Sequence, residues 1–445
     1  MTTPHINVIG AGLAGCEAAY QAAQMGVKVT LYEMKPNKYT PAHHSPKFAE
    51  LVCSNSLRSN ELSNAIGVLK EELRALGSLI MESAYATRVA AGSALAVDRE
   101  LFSDYVTEKV KNHPNIEIVY EEIKEINPDE ITVIASGPLT SDPLAEHIRE
   151  ALGLGNLHFF DAAAPIIDFE SIDMTKAFFA SRYNKGGDAD YINCPMNEAE
   201  YKAFYSALIE AKEAELHDFD KESQSLKVFE GCMPVEVMAR RGFETLLFGP
   251  LKPVGIEHPE TKETYFAVVQ LRKENNNGTM YNIVGFQTHL TFAEQKRVFG
   301  MIPGLENATF LRYGVMHRNT YLNSPGLLDY DYSLKNNGNI YFAGQMTGVE
   351  GYIESCSSGF VAGINAARRA LGLEKIDFTD KTVIGALSHY VSGSTISSNF
   401  QPMNANFGIV ASLDYKVKGG KKARNEEIAK RALSMIEALK ERITI

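Results

Sequence analysis

The chain opens on a glycine turn that leaves few folds available to it. His5–Ile9 reads as a short buried strand. Gly10-Ala11-Gly12-Leu13-Ala14-Gly15 follows at once, and Cys16–Met25 has the apolar spacing of a helix. A second apolar run, Val27–Tyr32, ends in Glu33, 18 residues after Gly15. Strand, glycine turn, helix, strand and acid make the unit that binds a dinucleotide. Gly10 allows the tight turn, Gly12 lets the backbone approach a pyrophosphate, and Gly15 lets helix and strand pack closely. Free N–H groups at the helix start face the phosphates, and the acid takes a ribose hydroxyl pair. A glycine-rich turn in some other α/β protein would leave Glu33 unexplained.

With 445 residues the chain has room for two or three domains and a substantial core. No apolar run approaches the ~20 residues of a membrane span, and the N-terminus lacks a secretory pattern. The five cysteines (Cys16, Cys53, Cys194, Cys232, Cys356) are scattered and lack metal-type spacing. They read as reduced thiols of a cytoplasmic protein, and no metal is expected. A net charge of −11 argues against broad nucleic-acid binding but leaves room for a local basic surface.

Along the chain, Pro36–Lys47 is a Pro- and His-rich loop. Glu61–Met81 reads as a helix with Leu62, Leu69, Leu73 and Leu76 on one side. Asp98–Lys111 reads as another, with Leu101, Phe102, Val106 and Val110 apolar. Strands follow at Ile116–Tyr120 and Ile131–Ala135, the latter ending in Ser136-Gly137-Pro138, small enough for a nucleotide to pass close by. From about Asp161 strands and turns alternate around a Glu198–Leu216 helix and a hairpin-rich Lys252–Asn282 stretch, turned at Asn275-Asn276-Asn277-Gly278. Nucleotide-domain character returns near Asn339. Ile340–Ala343 is a strand, and Gly344–Ile353 leads into a Ser357–Leu371 helix that carries Gly359, Ala362, Gly363, Ala366 and Ala367 for close packing. A late strand–glycine–helix unit favours FAD over NAD, because its helix N-terminus faces the flavin ring. The expected fold is α/β: a glutathione-reductase-type FAD-binding Rossmann domain (1–165 and 306–445) interrupted by a smaller α+β insertion domain (166–305).

Seven collinear stretches carry a resemblance over nearly the whole chain. They are Val8–Gly15, Leu51–Arg58, Phe229–Arg241, Val284–Phe299, Arg312–Pro325, Ala343–Ser358 and Asn399–Gly408. Together they resemble the folate- and FAD-dependent tRNA uracil-5-methyltransferase family, TrmFO, whose nearest relative is the MnmG/GidA family of wobble-uridine modifiers. The resemblance implies methylation of C5 of the T-loop uridine (position 54) of tRNA. Methylenetetrahydrofolate would give the carbon, reduced FAD the electrons, and NADPH or NADH would restore the flavin. A wobble-uridine modifier or a small-molecule flavin oxidoreductase is the alternative, and the oligomeric state is left open.

Uracil C5 becomes nucleophilic only when a thiolate adds to C6, so a reactive cysteine near the flavin is required. The family places two there. Cys232, in Gly231-Cys232-Met233-Pro234 and close to Arg240 and Arg241, is expected to be the C6 nucleophile. Cys53, in Cys53-Ser54-Asn55-Ser56-Leu57-Arg58, is expected to support it against the flavin. Without the resemblance, small buried thiols would be the natural reading of both. The expected cofactor contacts are Gly10, Ala11, Gly12, Leu13, Ala14, Gly15, Glu33, Met34, Lys35, Asn55, Leu57, Arg58, Gly137, Gly344, Gln345, Gly351, Tyr352 and Ile353. His317, then His289, are expected at the folate pterin, and Arg312 and Arg318 at its glutamate tail or at tRNA phosphate.

Two basic stretches could meet the tRNA. Lys416, Lys418, Lys421, Lys422 and Arg424 lie within nine residues free of acids, around Gly419 and Gly420. Lys176, Arg182 and Lys185 alternate with Phe178, Phe179 and Tyr183, a pattern suited to splayed bases. The first is equally a solvated surface run.

Overall fold

The computed structural model describes residues 3–153, 158–162, 164–184, 190–214, 233–273, 278–314, 316–393, 400 and 402–443. Its first layer is a six-stranded sheet in the order Ser333–Leu334, Asn337–Phe342, Thr132–Ile134, His5–Ile9, Lys28–Tyr32, Ile116–Val119. All neighbours run parallel except the Ser333–Leu334 edge strand. The returning strand pairs directly with Thr132–Ile134, so a segment more than 200 residues away completes the sheet begun by the N-terminus.

Two helices, Leu13–Gln24 and Tyr352–Ala370, pack on this sheet and against each other. Glycine makes that close approach possible. A Cβ on Gly359 would sit 2.2 Å from the Ala14 carbonyl oxygen, and one on Gly363 would sit 2.6 Å from the Ala18 Cα. The small-residue stripe expected for close packing is used for that purpose.

The expected Glu61–Met81 helix is two helices, Ala65–Ala75 and Leu79–Ala86. Gly77 sits at φ +79 and ends the first, and the Ser78 hydroxyl accepts the Met81 N–H to start the second. Leu62 accordingly lies outside both and is exposed. In Arg99–Lys111, capped by Asp98, Phe102, Val106 and Val110 are fully buried while Leu101 points outward. Glu198–Glu210 ends earlier than its apolar pattern, at Ala211 in extended conformation.

The insertion is an antiparallel sheet ordered Phe178–Phe179, Tyr191–Met196, Ala267–Lys273, Met280–Ile283, Ile166–Asp168, Phe310–Arg312, with its own hydrophobic core. Its last strand lies beyond the expected boundary at residue 305. The expected Asn275–Asn277 turn lies outside the described residues, although the flanking strands pair as a hairpin. An antiparallel pair, His158–Ala162 with Met316–Thr320, carries the chain in both directions between the two bodies. No helix among the described residues is long and apolar enough to cross a membrane.

Candidate active site

A cavity opens at the carboxyl ends of the parallel strands, where ligands bind in open α/β sheets. Gly10, Ala11, Gly12, Leu13, Ala14, Glu33, Met34, Lys35, Gly137, Gly344, Gln345 and Tyr352 line it, together with Val52, His43 and Ser355, which sequence reasoning did not single out. The three early glycines do separate jobs. A Cβ on Gly10 would meet the Ala135 carbonyl at 2.7 Å, and one on Gly15 would meet the Gly10 carbonyl at 1.8 Å. A Cβ on Gly12 would meet nothing within 4 Å, so its bare backbone faces open space. The first helix starts there with no side-chain cap and no acid in its first turn. Its free N–H groups and the open cradle above Gly12 suit a pyrophosphate. Glu33 is held by the Ala11 and Lys35 N–H groups, each at 2.9 Å, and so is oriented beside the turn for a ribose diol. These residues fit FAD.

The far end of the cavity is built by the start of the Tyr352–Ala370 helix. The Tyr352 hydroxyl oxygen accepts the N–H groups of Cys53 (2.7 Å) and Ser54 (3.2 Å). Burial, and then the neighbouring Cys53, push that phenol above its ordinary range, so it stays protonated. The Cys53 carbonyl also accepts from Arg99 at 3.4 Å. Cys53 is partly exposed, next to cavity-lining Val52, whereas Cys16, Cys194 and Cys356 are buried. Burial raises all three of those thiols, which suits structural roles.

Six expected cofactor residues, Gly15, Asn55, Leu57, Arg58, Gly351 and Ile353, do not line the cavity but brace it. Asn55 is fully buried. Its amide donates to the Val97 and Lys273 carbonyls, and its oxygen accepts from Arg272. Arg272 also reaches the Ser54 hydroxyl at 2.6 Å, so this bracket ties the Cys53 loop to the insertion sheet. Leu57 and Ile353 are buried in the core. Arg58, at φ +66, pairs with Glu354 at 2.8 Å, and fully buried Lys70 donates to the Leu57 and Arg58 carbonyls at 3.0 Å each. Gly351, at φ +125, leaves room for that Glu354 carboxylate.

Cys232 lies outside the described residues, but both chain ends flanking 215–232 are fixed. The Ala214 N–H donates to the His289 carbonyl (2.8 Å), and the Val235 N–H donates to the Gln287 carbonyl (2.7 Å). His289 sits between those ends. Its Nε2 contacts Glu213, and its Nδ1 lies 2.8 Å from Glu236, which is fully buried. His289, the second residue expected at the pterin, is buried and held between these two carboxylates. Arg240, expected to activate Cys232, is paired with Glu213.

Burial pushes the His289 imidazole down, but hydrogen bonds to Glu213 and Glu236 and their charges outweigh it and raise the pKa to about 9. The imidazolium's contribution is thus fully present below its ordinary value near 6.5 and is lost as pH rises through about 9. That shift corresponds to roughly 3 kcal/mol. We expect His289→Gln to cost about that much at pH 6, since it strands buried Glu236. The difference from the parent protein should shrink toward pH 10, as read by urea unfolding across pH. A gap independent of pH would contradict the assignment.

His317 and Arg318 lie on the Met316–Thr320 strand, and the Thr320 N–H donates to the Pro138 carbonyl on the cavity wall. Arg312 lies in the last strand of the insertion sheet. In the Lys176–Lys185 stretch the rings of Phe179 and Tyr183 are exposed, while the described cations are committed to protein partners. Lys176 pairs with Glu306, Phe178 is buried, and Arg182 is spent on the Lys252 and Val254 carbonyls and Gln270; Lys185 lies outside the described residues. In the Lys416–Arg424 stretch, Lys421, Lys422 and Arg424 belong to the first turns of the Gly420–Ile443 helix.

Residues 5–374 match the family described as glucose inhibited division protein A. The chain is 62% identical over 433 residues to the methylenetetrahydrofolate–tRNA-(uracil-5-)-methyltransferase TrmFO of Acetivibrio thermocellus, covering 97% of this chain and 98% of that protein. It is 58% identical over 439 residues to the protein of the same name from Staphylococcus saprophyticus, covering 99% of each. The crystal structure of GidA from Aquifex aeolicus shares the fold, with a TM-score of 0.70 at 17% identity over 98% of this chain and 76% of that one.

Proposed function

The chain belongs to the TrmFO family, and we propose that it transfers a one-carbon unit from methylenetetrahydrofolate to C5 of the T-loop uridine of tRNA, forming 5-methyluridine with reduced FAD as reductant. The observation that carries the site assignment is the Cys53 backbone held 2.7 Å from the hydroxyl of Tyr352, a residue of the cofactor cavity. It sets a partly exposed thiol beside the place the glycine cradle prepares.

The thiolate of Cys232 adds to uracil C6, and the displaced electron pair makes C5 an enolate carbon. C5 then bonds to the donor's methylene carbon as the first of that carbon's two bonds to folate nitrogen breaks. Loss of the C5 proton expels the second folate nitrogen and leaves an exocyclic methylene, to which a hydride adds as the thiolate departs from C6, giving the methyl group. FAD, when bound, supplies the two electrons of that hydride, and NADPH or NADH restores them. Cys53 supports the reacting group from its own loop beside the cofactor cavity, and His317 and Arg318 serve the folate. The target base must leave the RNA stack to reach C6.

Tyr352→Phe removes the shared acceptor of two N–H groups and should lower turnover about tenfold or more while FAD stays bound, since each stranded donor costs ~1–3 kcal/mol. Wild-type turnover in that variant would contradict the assigned role of the hydroxyl. Position is tested by giving the protein unmodified tRNA, NADPH and carbon-labelled methylenetetrahydrofolate, then cutting the RNA into arms. Label in the T-arm supports the reading, whereas label in the anticodon arm would replace it with wobble modification.

A further inference from the structure

The geometry points to a second binding site on this chain: a cationic groove that holds backbone phosphates of the RNA substrate next to the uridine being modified. This rests on the function proposed above. The groove has a volume of about 1150 Å³ and lies between the start of the Ala65–Ala75 helix, residues 405–417 and the start of the Gly420–Ile443 helix. Arg58, Lys416, Lys421 and Arg424 line it and, among the described residues, no Asp or Glu does, in a chain of net charge −11. Lys416, Lys421 and Arg424 reach its solvent side.

Both helices that end on the groove present unneutralised N-termini. Neither has an acid in its first turn, and Asn64, at the cap of the first, makes no side-chain capping bond. Three exposed cations, Lys416, Lys421 and Arg424, converge with two helix dipoles on a surface that no Asp or Glu lines among the described residues, which favours a multiply charged anion. The volume exceeds the ~300–1,000 Å³ usual for small-molecule sites. Tyr415, 59% exposed at the groove, offers a ring for a base.

The groove also abuts the reaction site. Arg58 pairs with Glu354, in the first turn of the Tyr352–Ala370 helix, and the same carboxylate accepts the N–H of groove-lining Ala405 at 2.9 Å. Tyr352 and Ser355, on either side of Glu354, line the cofactor cavity. The loop from Val52 to Arg58 runs from one site to the other. A strand of RNA with phosphates in the groove would thus deliver an extruded base close to Cys53.

The test is the triple variant K416A/K421A/R424A, none of whose positions lines the cofactor cavity. Its FAD content and thermal midpoint should match wild type. Its Kd for an unmodified tRNA transcript should rise at least about tenfold, and the slope of log Kd against log salt should flatten by about 3, near one for each phosphate no longer neutralised. An unchanged Kd and slope beside an active wild type would overturn the groove. So would a raised KM for triglutamyl methylenetetrahydrofolate with tRNA binding intact, which would assign the cations to the folate tail. A wild-type protein that labels no tRNA would overturn the underlying function itself.

Discussion

Cys232→Ala should abolish methyl transfer, by at least about a thousandfold, while the purified variant keeps its full complement of FAD. The two halves of this expectation have separate physical grounds. Uracil C5 carries too little electron density to attack a methylene carbon, and only covalent addition at C6 supplies it, so removing the nucleophile removes the route rather than weakening it. The cofactor cradle, by contrast, is built from residues 9–14, 32–35, 135–141 and 344–355, none of which neighbours position 232 in sequence. Cys53→Ala should cost less, because its loop is held by backbone bonds to Tyr352 and by the Arg272 bracket, which the substitution leaves in place. Single-turnover assays on both variants decide between them. Near-wild-type transfer by Cys232→Ala, with complete loss in Cys53→Ala, would reverse the two roles.

The second large effect separates two glycines that look alike in sequence. Gly12→Val should fold normally yet bind less than about a tenth of the wild-type FAD. The backbone there has φ −76 and ψ −171, which any residue adopts, and a Cβ meets no protein atom within 4 Å. What the side chain fills is the space the pyrophosphate needs. Gly15→Val should instead damage the fold. Its Cβ falls 1.8 Å from the Gly10 carbonyl oxygen, and neither that backbone nor the helix can yield without parting the helix from the sheet. Overpacking of this kind costs ~1–3 kcal/mol or more. Flavin absorbance per chain and the thermal midpoint of the cofactor-free protein read the two effects apart. A Gly12→Val protein with full FAD would contradict the placement of the phosphate cradle.

These glycines are legible because their constraint is local: strand, turn and helix lie within about twenty residues, and a missing Cβ is written in the sequence itself. Gly344–Ile353 is legible for the same reason. The helix break at Gly77-Ser78 is not, because apolar spacing continues through it and Gly77 alone can sit inside a helix pattern. Asn55 and Arg58 read as cofactor contacts within the Leu51–Arg58 stretch. Asn55 instead meets Arg272, 217 residues away, and Arg58 meets Glu354, 296 residues away. Pairings at such distances leave no periodicity to read. The same holds for His289, whose carboxylates stand at positions 213 and 236. It holds too for the groove, whose cations come from position 58 and from positions 416–424. Sequence spacing exposes the basic run, but only the fold sets it beside Arg58 and two helix N-termini.

The central claim is that folate carbon reaches tRNA uracil C5 on this chain. It is tested most directly by mass spectrometry of nucleosides from unmodified tRNA incubated with the FAD-loaded protein, NADPH and ¹³C-methylenetetrahydrofolate, without S-adenosylmethionine. The account predicts 5-methyluridine one mass unit heavier than its unlabelled form, formed in proportion to protein. NADPH consumption with no labelled 5-methyluridine would contradict it and leave a flavin oxidoreductase in its place.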